Sequence, residues 1–211
     1  MSERGILTVI SGFSGVGKGT VIKRMLRDYQ AYALSISATT RAPRVGEQDG
    51  REYFFKTREE FEAMIAADEF VEYAQFVENY YGTPKAYVEQ MLSEGKDVIL
   101  EIEVQGAMKI KEKFPDAPTI FIVPPTPDAL RERLVGRGTE SQEVIESRLR
   151  RAVEEADSMD QYEYLVINDD LDTCVRQVHA IIQSEHLKGS RNIEFRTNLA
   201  QGMNKFLKGD R

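Results

Sequence analysis

The first apolar run, Ile6-Leu7-Thr8-Val9-Ile10, is followed by Gly12-Phe13-Ser14-Gly15-Val16-Gly17-Lys18-Gly19-Thr20 and then by Val21, Ile22, Met25 and Leu26 at helical spacing. That order predicts a strand, a glycine-rich loop and a helix. A second apolar run, Tyr32 to Ile36, precedes a polar stretch from Ser37 to Asp49 that reads as an ordered functional loop or a linker. Tyr53-Phe54-Phe55 predicts a short strand. Thr57 with Glu60 three residues later marks a helix start, and Phe70 to Tyr81 has the aromatic and β-branched content of antiparallel strands. Alternation of strand and helix then resumes. Strands are predicted at Asp97–Ile102, Pro118–Val123 and Tyr164–Ile167. Helices are predicted from Val88 to Leu92, Ala107 to Phe114, Thr126 to Gly136, Glu143 to Ala156 and Leu171 to Leu187. The pattern predicts an α/β fold, with a parallel sheet core covered by helices on both faces. Residues 1–36 and 88–188 form that core, 37–87 a mixed α+β insertion, and about 136–152 a helical lid. The tail 189–211 is polar and reads as a frayed helix or a disordered end.

Composition narrows the picture. A chain of 211 residues can hold one α/β core with a small insertion. The net charge of −7 argues against a general nucleic-acid binder, so any anion site must be a local cluster. The single cysteine, Cys174, lies in an amphipathic stretch and reads as a core thiol suited to a reducing compartment. His179 and His186 have no metal-ligand cluster around them and read as surface or packing residues. The N-terminus lacks a signal-peptide pattern and no apolar run approaches a membrane span, so the expectation is a cytoplasmic protein without a membrane partner.

The glycine-rich loop carries the strongest chemistry. A loop entering a helix N-terminus turns backbone N–H groups outward, where the helix dipole favours anions. Glycines let the backbone approach phosphates and Lys18 adds a point charge. This P-loop pattern wants a hydroxyl directly after the lysine for Mg²⁺, but here that position is Gly19 and the first hydroxyl is Thr20. Arg41 and Arg44 bracket Pro43 and offer planar forks for phosphate oxygens, with Tyr53 and Tyr81 as further donors. Arg133 and Arg137 span one helix end, and Arg148 and Arg151 share one helix face, so both pairs flank the loop from Gly136 to Glu140 as a mobile lid would. Arg150 pairs with Glu146 instead. Glu101 and Glu103 end a buried strand near the expected phosphate, on one side of it by alternation, where a carboxylate can hold Mg²⁺ through waters. Glu72 stands in an otherwise apolar strand, and a carboxylate there can accept from guanine N1–H and its exocyclic amine.

The motifs Ser37-Ala38-Thr39-Thr40-Arg41-Ala42-Pro43-Arg44, Gly46-Glu47 with Gly50-Arg51-Glu52-Tyr53, Tyr80-Tyr81-Gly82-Thr83, Glu101-Ile102-Glu103-Val104-Gln105-Gly106, Arg137-Gly138-Thr139-Glu140 and Asn168-Asp169-Asp170 resemble those of bacterial guanylate kinases. The resemblance runs from the loop to about Lys188. It implies transfer of the γ-phosphoryl of ATP to GMP, and by extension dGMP, with Mg²⁺. It implies that Ser14, Gly15, Val16, Gly17, Lys18, Gly19, Thr20, Arg133, Arg137 and Asn168 bind ATP. It implies that Ser37, Glu72 and Thr83 read guanine, and that Arg41, Arg44, Tyr53, Tyr81 and Arg148 hold the GMP phosphate. Arg151 comes down with the lid, and Glu101 and Glu103 divide metal-water and base contacts. Lys18, Arg41, Arg137 and Arg148 are the expected catalytic set, and Thr20 and Glu101 the indirect metal contacts. Two other readings stay open: a different nucleoside monophosphate kinase, and a guanylate-kinase-like module that binds phosphopeptides.

Overall fold

The computed structural model describes residues 4–76, 78–136 and 141–207. Its first sheet holds five parallel strands in the order β2-β7-β1-β8-β9, with β1 Leu7–Gly12, β2 Tyr32–Leu34, β7 Asp97–Glu101, β8 Thr119–Val123 and β9 Tyr164–Ile167. Every residue of β1 is buried, because it lies mid-sheet between β7 and β8 with helices on both faces. The chain leaves β1 toward β7 and β2 and later returns to the other side at β8. This reversal opens a crevice at the carboxyl ends of β1, β7 and β8, where ligands of such sheets bind.

The covering helices are α1 Lys18–Asp28, α3 Lys85–Ser93, α4 Val104–Lys113, α5 Pro127–Gly136, α6 Gln142–Ala156 and α7 Leu171–His186, with a short 3-10 turn at Met159–Gln161. Val21, Ile22 and Met25 of α1 and Cys174, Val175, Val178 and Ile182 of α7 face one continuous core with the sheet. Cys174 is fully buried, as its pattern predicted, and burial pushes its thiol up to about 11. His179 is a packing residue, stacked on Tyr29 at 3.9 Å and hydrogen-bonded to the Tyr32 hydroxyl at 2.6 Å. His186 pairs with Asp97 at 2.9 Å.

A second, mixed sheet has the order β4-β3-β6-β5, with β3 Ala38–Thr39, β4 Phe54–Phe55, β5 Phe70–Phe76 and β6 Asn79–Pro84. β5 and β6 run antiparallel, and α2, Arg58–Ala66, packs against them. Thr57 caps α2 by accepting from Glu60 N–H while the Glu60 carboxylate accepts from Thr57 N–H at 2.7 Å, the predicted capping box. This sheet has a small core of its own, Ala38, Phe61 and Phe70, with Phe61 and Phe70 stacked 4.4 Å apart. Val71, next to Phe70, faces the large core instead, so β5 stitches the two sheets together.

Two expectations need correction. β7 stops at Glu101, and Glu103 is the N-cap of α4, so the two acids are not alternate residues of one strand. For the same reason α4 starts at Val104 rather than Ala107. Of the two readings of the tail, the structure favours the helix over its described part, since Ile193–Leu207 forms an eighth helix, α8.

Candidate active site

The glycine-rich loop sits at the crevice. Gly17 caps α1 with φ +103°, and a Cβ there would lie 2.7 Å from the Asn168 amide nitrogen. Gly15, at φ +87°, would push a Cβ to 2.5 Å from Leu134. Both positions need glycine for the left-handed turn and for the close packing behind it. From behind, the Asn168 amide donates to the Val16 carbonyl at 2.8 Å, and Arg133 donates to the same carbonyl at 3.2 Å. The loop is therefore braced by β9 and α5 while its N–H groups face outward at the helix start. Gly15, Val16, Gly17, Thr20, Arg133, Asn168 and Asp169 line an open cleft of about 450 Å³ beside it.

Lys18 folds back across the loop and donates to the carbonyls of Gly12 and, at 3.3 Å, Phe13. Burial lowers its pKa, and the Glu103, Glu101 and Glu155 carboxylates work against that shift. Arg148 donates to Ser14 Oγ at 3.3 Å. Arg151 is clamped by Glu103 at 3.0 Å and by Glu155, one helical turn on, at 3.1 Å. α6 thus carries both arginines over the loop, held by Ser14 on one side and the acids on the other. Arg150 pairs with Glu146 at 3.7 Å, as expected. Arg137, with Gly138, Thr139 and Glu140, lies outside the described residues.

Glu101 ends β7 beside Lys18. Partial desolvation of its carboxyl raises its pKa, though the residue as a whole is exposed. Lys18 pulls the other way and Glu103 adds to the rise. Thr20 is exposed on the first turn of α1. Among the described residues no three His, Cys, Asp or Glu side chains form a metal cage. One hydroxyl and one carboxylate beside a phosphate cradle suit Mg²⁺ that shares its ligands with substrate phosphates and waters. Gly19 has open space where a Cβ would stand. Packing therefore does not demand glycine there.

The second sheet collects the remaining candidates. Arg41 makes a two-toothed contact with Glu47 at 3.0 Å to each oxygen and lies 5.4 Å over the Tyr53 ring. Glu47 also accepts from the Arg44 backbone N–H at 2.7 Å, which folds residues 41–47 into a compact turn. The guanidinium and backbone donors hold the Glu47 carboxyl below its ordinary value. Tyr53 and Tyr81 meet edge to face at 6.0 Å. Arg41, Arg44, Tyr53 and Tyr81 are thus gathered at one end of the sheet. Glu72 pairs with Thr83 in the β5–β6 register, and the buried Thr83 hydroxyl donates to Glu72 at 2.9 Å. Burial raises the Glu72 carboxyl, with Thr83, Lys109 and Lys113 opposing. Ser37 precedes β3 and accepts from Phe54 N–H at 2.9 Å. α4 links the two halves, since it begins at Glu103 beside Lys18 and carries Lys109 and Lys113 to Glu72.

Two residues of this network carry no predicted role. Glu155 is buried, with Oε2 lacking a hydrogen-bond partner among the described residues. Its i, i+4 spacing from Arg151 is the signal that would have found it. Glu47 lies in a recognised motif, but no periodicity ties it to Arg41.

A phosphate loop at the switch point of a parallel sheet, with arginines carried over it on a helix, defines a P-loop kinase. Comparison with known proteins narrows the class. The sequence model of the family described as guanylate kinase matches residues 4–185, and the chain belongs to that family. It is similar to the crystal structure of guanylate kinase from Anaplasma phagocytophilum, at 31% identity and a TM-score of 0.68 over 90% of each chain. Two more distant structures also match. TT1252 from Thermus thermophilus has 18% identity and a TM-score of 0.49, over 88% of this chain and 100% of its own. Shikimate kinase from Bacteroides thetaiotaomicron has 16% identity and a TM-score of 0.44, over 84% and 98%.

Proposed function

We propose that this chain transfers the γ-phosphoryl of Mg·ATP directly to the phosphate of GMP. The observation that carries the reading is the pairing of a phosphate loop at one end of α4 with a half-buried carboxylate, Glu72, toward the other. Ionised Glu72, oriented by Thr83, accepts from guanine N1–H and the exocyclic amine, with Ser37 beside it. Adenine has no matching pair of donors on that edge. Arg41, Arg44, Tyr53 and Tyr81 hold the acceptor phosphate. Arg41 gives up Glu47 in doing so, because a dianion outcompetes one carboxylate for the fork. Ser14 to Thr20 and Arg133 hold the donor phosphates, and Asn168 braces the loop close to the base. Mg²⁺ supplies charge neutralisation on the donor phosphates, with Thr20 and Glu101 as the protein oxygens toward it.

Transfer needs two anions brought in line and little covalent chemistry. Arg148 and Arg151, with Arg137, supply the positive charge as the lid descends. We place the hinge where 37–87 leaves and rejoins the core of 1–36 and 88–188. Excluding water at closure suppresses ATP hydrolysis.

A coupled assay of ATP against GMP, dGMP, AMP, UMP and CMP tests the reading. We expect turnover with GMP, lower turnover with dGMP, and rates at least about 10³-fold lower with the others. AMP turnover matching that of GMP would defeat the guanine assignment. ADP formation absent with every acceptor would favour the phosphopeptide-binding module.

A further inference from the structure

We propose that Glu155 is a positioning residue for phosphoryl transfer: it keeps hold of Arg151 Nε as a pivot while Arg151 Nη2 exchanges Glu103 for the transferring phosphoryl group. The proposal rests on the proposed transfer to GMP. Arg151 is gripped at two points, its Nε donating to Glu155 at 3.1 Å and its Nη2 to Glu103 at 3.0 Å. The two acids come from different elements, Glu155 from the last turn of α6 and Glu103 from the N-cap of α4. They also differ in setting. The Glu103 side chain is 62% exposed, whereas that of Glu155 is 7% exposed. An exposed carboxylate gives up a guanidinium readily, because water replaces the contact. A buried one does not, since losing its partner leaves an uncompensated charge. When the lid descends toward a phosphoryl group, the Glu103 contact is the one that breaks.

Helix stability gives no reason for Glu155. It sits in the last turn of a 15-residue helix, where the dipole disfavours a negative charge. In the Arg151–Glu155 pair the base precedes the acid, the weaker order for residues four apart. Glu146 and Arg150, on the same helix, have the favoured order, and there both side chains are more than half exposed and the contact is a looser 3.7 Å. That neighbour is an ordinary surface pair. Glu155 is also only half satisfied, since its Oε2 has no hydrogen-bond partner among the described residues. Burying a carboxylate with one oxygen unpaired works against folding. The carboxylate instead faces the donor cradle, where Glu103, Arg151 and Lys18 are the charged groups that act on it. A cleft of about 150 Å³ lined by Glu103, Arg151 and Glu155 adjoins the pair. The Arg151 side chain, 54% exposed, therefore has room to turn about its Nε without displacing packed neighbours.

The test is a double-mutant cycle on the full chain, read in kcat, KM and Tm. Glu155→Gln keeps the shape and an acceptor oxygen but removes the charge. It should lower kcat about tenfold while KM for GMP and for ATP stays within about twofold, as a misplaced guanidinium would. Glu155→Asp keeps the charge but withdraws it by one methylene, and should fall as far. Arg151→Ala should lower kcat about 100-fold, and adding Glu155→Gln to it should change kcat by no more than about twofold. At neutral pH the Tm of Glu155→Gln should hold or rise, the opposite of what a purely structural residue shows. A wild type that does not phosphorylate GMP would defeat the kinase reading and this proposal together. With an active wild type, this proposal alone is overturned by full kcat in Glu155→Gln, or by a further loss of about tenfold when that change is added to Arg151→Ala. A loss of kcat in Glu155→Gln that follows a fall in Tm overturns it as well.

Discussion

On the proposed reading, the two sheets grip phosphate by different means. On the five-stranded sheet the donor cradle is backbone, a loop between the fully buried β1 and α1, braced through the Val16 carbonyl by Asn168 and Arg133. On the four-stranded sheet the acceptor cradle is side chain, with Arg41 and Arg44 in the turn after β3, Tyr53 just before β4 and Tyr81 on β6, beside a small core of Ala38, Phe61 and Phe70. A backbone cradle is set by the fold and changes little with its occupant. A side-chain cradle must keep its charges neutralised while empty, and Glu47 does this for Arg41. The donor half is rigid and general for phosphates, whereas the acceptor half is adjustable and selective.

Removing the lysine of the donor cradle should separate the halves most sharply. Lys18→Ala is expected to lower kcat by about 10³-fold or more, as losing a donor to the transferring group does. The GMP dissociation constant, measured by calorimetry, should stay within a factor of two or so, because among the described residues the hydrogen bonds of Lys18 go to the loop's Gly12 and Phe13 carbonyls. Retained turnover would remove Lys18 from its assigned role.

On the acceptor side, Glu72→Gln should lower kcat/KM for GMP by about 10²-fold while the KM for ATP holds, since it exchanges a charged acceptor for a group that also donates. The wild-type pH profile offers a second reading of the same residue. Burial raises the Glu72 carboxyl, and on the proposed reading only its ionised form accepts from guanine. kcat/KM for GMP should therefore fall on acidification at a pH above the ordinary carboxylate value of about 4.3. An unchanged GMP profile in the glutamine variant would reject Glu72 as the base reader.

The difference between the halves also explains what the sequence disclosed. The donor loop was legible because glycines at fixed intervals after an apolar run leave a local trace, and the structure puts Gly15 and Gly17 at positive φ. The α/β alternation and the Thr57–Glu60 capping box were legible for the same local reason. Arg41 with Glu47, and Arg151 with Glu103, were not. Those pairings depend on how a loop folds and on where β7 ends, and neither leaves a periodicity. Treating Glu101 and Glu103 as strand neighbours failed at that point, since the chain turns into α4 after two residues. The apolar spacing of α8 was present but was masked by the polar composition around it.

A smaller effect probes the loop's missing hydroxyl. Thr20→Ala should raise the Mg²⁺ concentration for half-maximal rate by about three- to tenfold, one oxygen ligand among several. Gly19→Ser should restore part of the loss, because its Cβ enters open space and its hydroxyl follows the lysine directly. Rescue by serine at 19 alone would locate the metal contact on the first turn of α1. No effect from either change would shift it to Glu101.

The smallest effect ties the site to stability. Glu72, Glu101 and Glu155 all have raised pKa values, chiefly through burial, and all belong to the two cradles or the Arg151 clamp. Asp28, Glu52, Asp68 and Asp170 have lowered values, chiefly through hydrogen bonds on the outer surface. Between the unfolded and folded pKa of a raised carboxyl, the folded chain binds more protons than the unfolded one. Stability then falls as pH rises through that window. The lowered carboxyls act with opposite sign and only at more acid pH, where protonation removes their contribution. Ligand-free protein should therefore lose Tm as pH rises through the window of the raised carboxyls, while His179, its pKa lowered by burial, works in the opposite sense below its ordinary value. Glu155→Gln should flatten that slope, because it removes a buried carboxylate whose Oε2 has no hydrogen-bond partner among the described residues. A Tm that rises steadily toward pH 7.5 in the wild type would mean that these carboxylates cost the fold nothing while the site is empty.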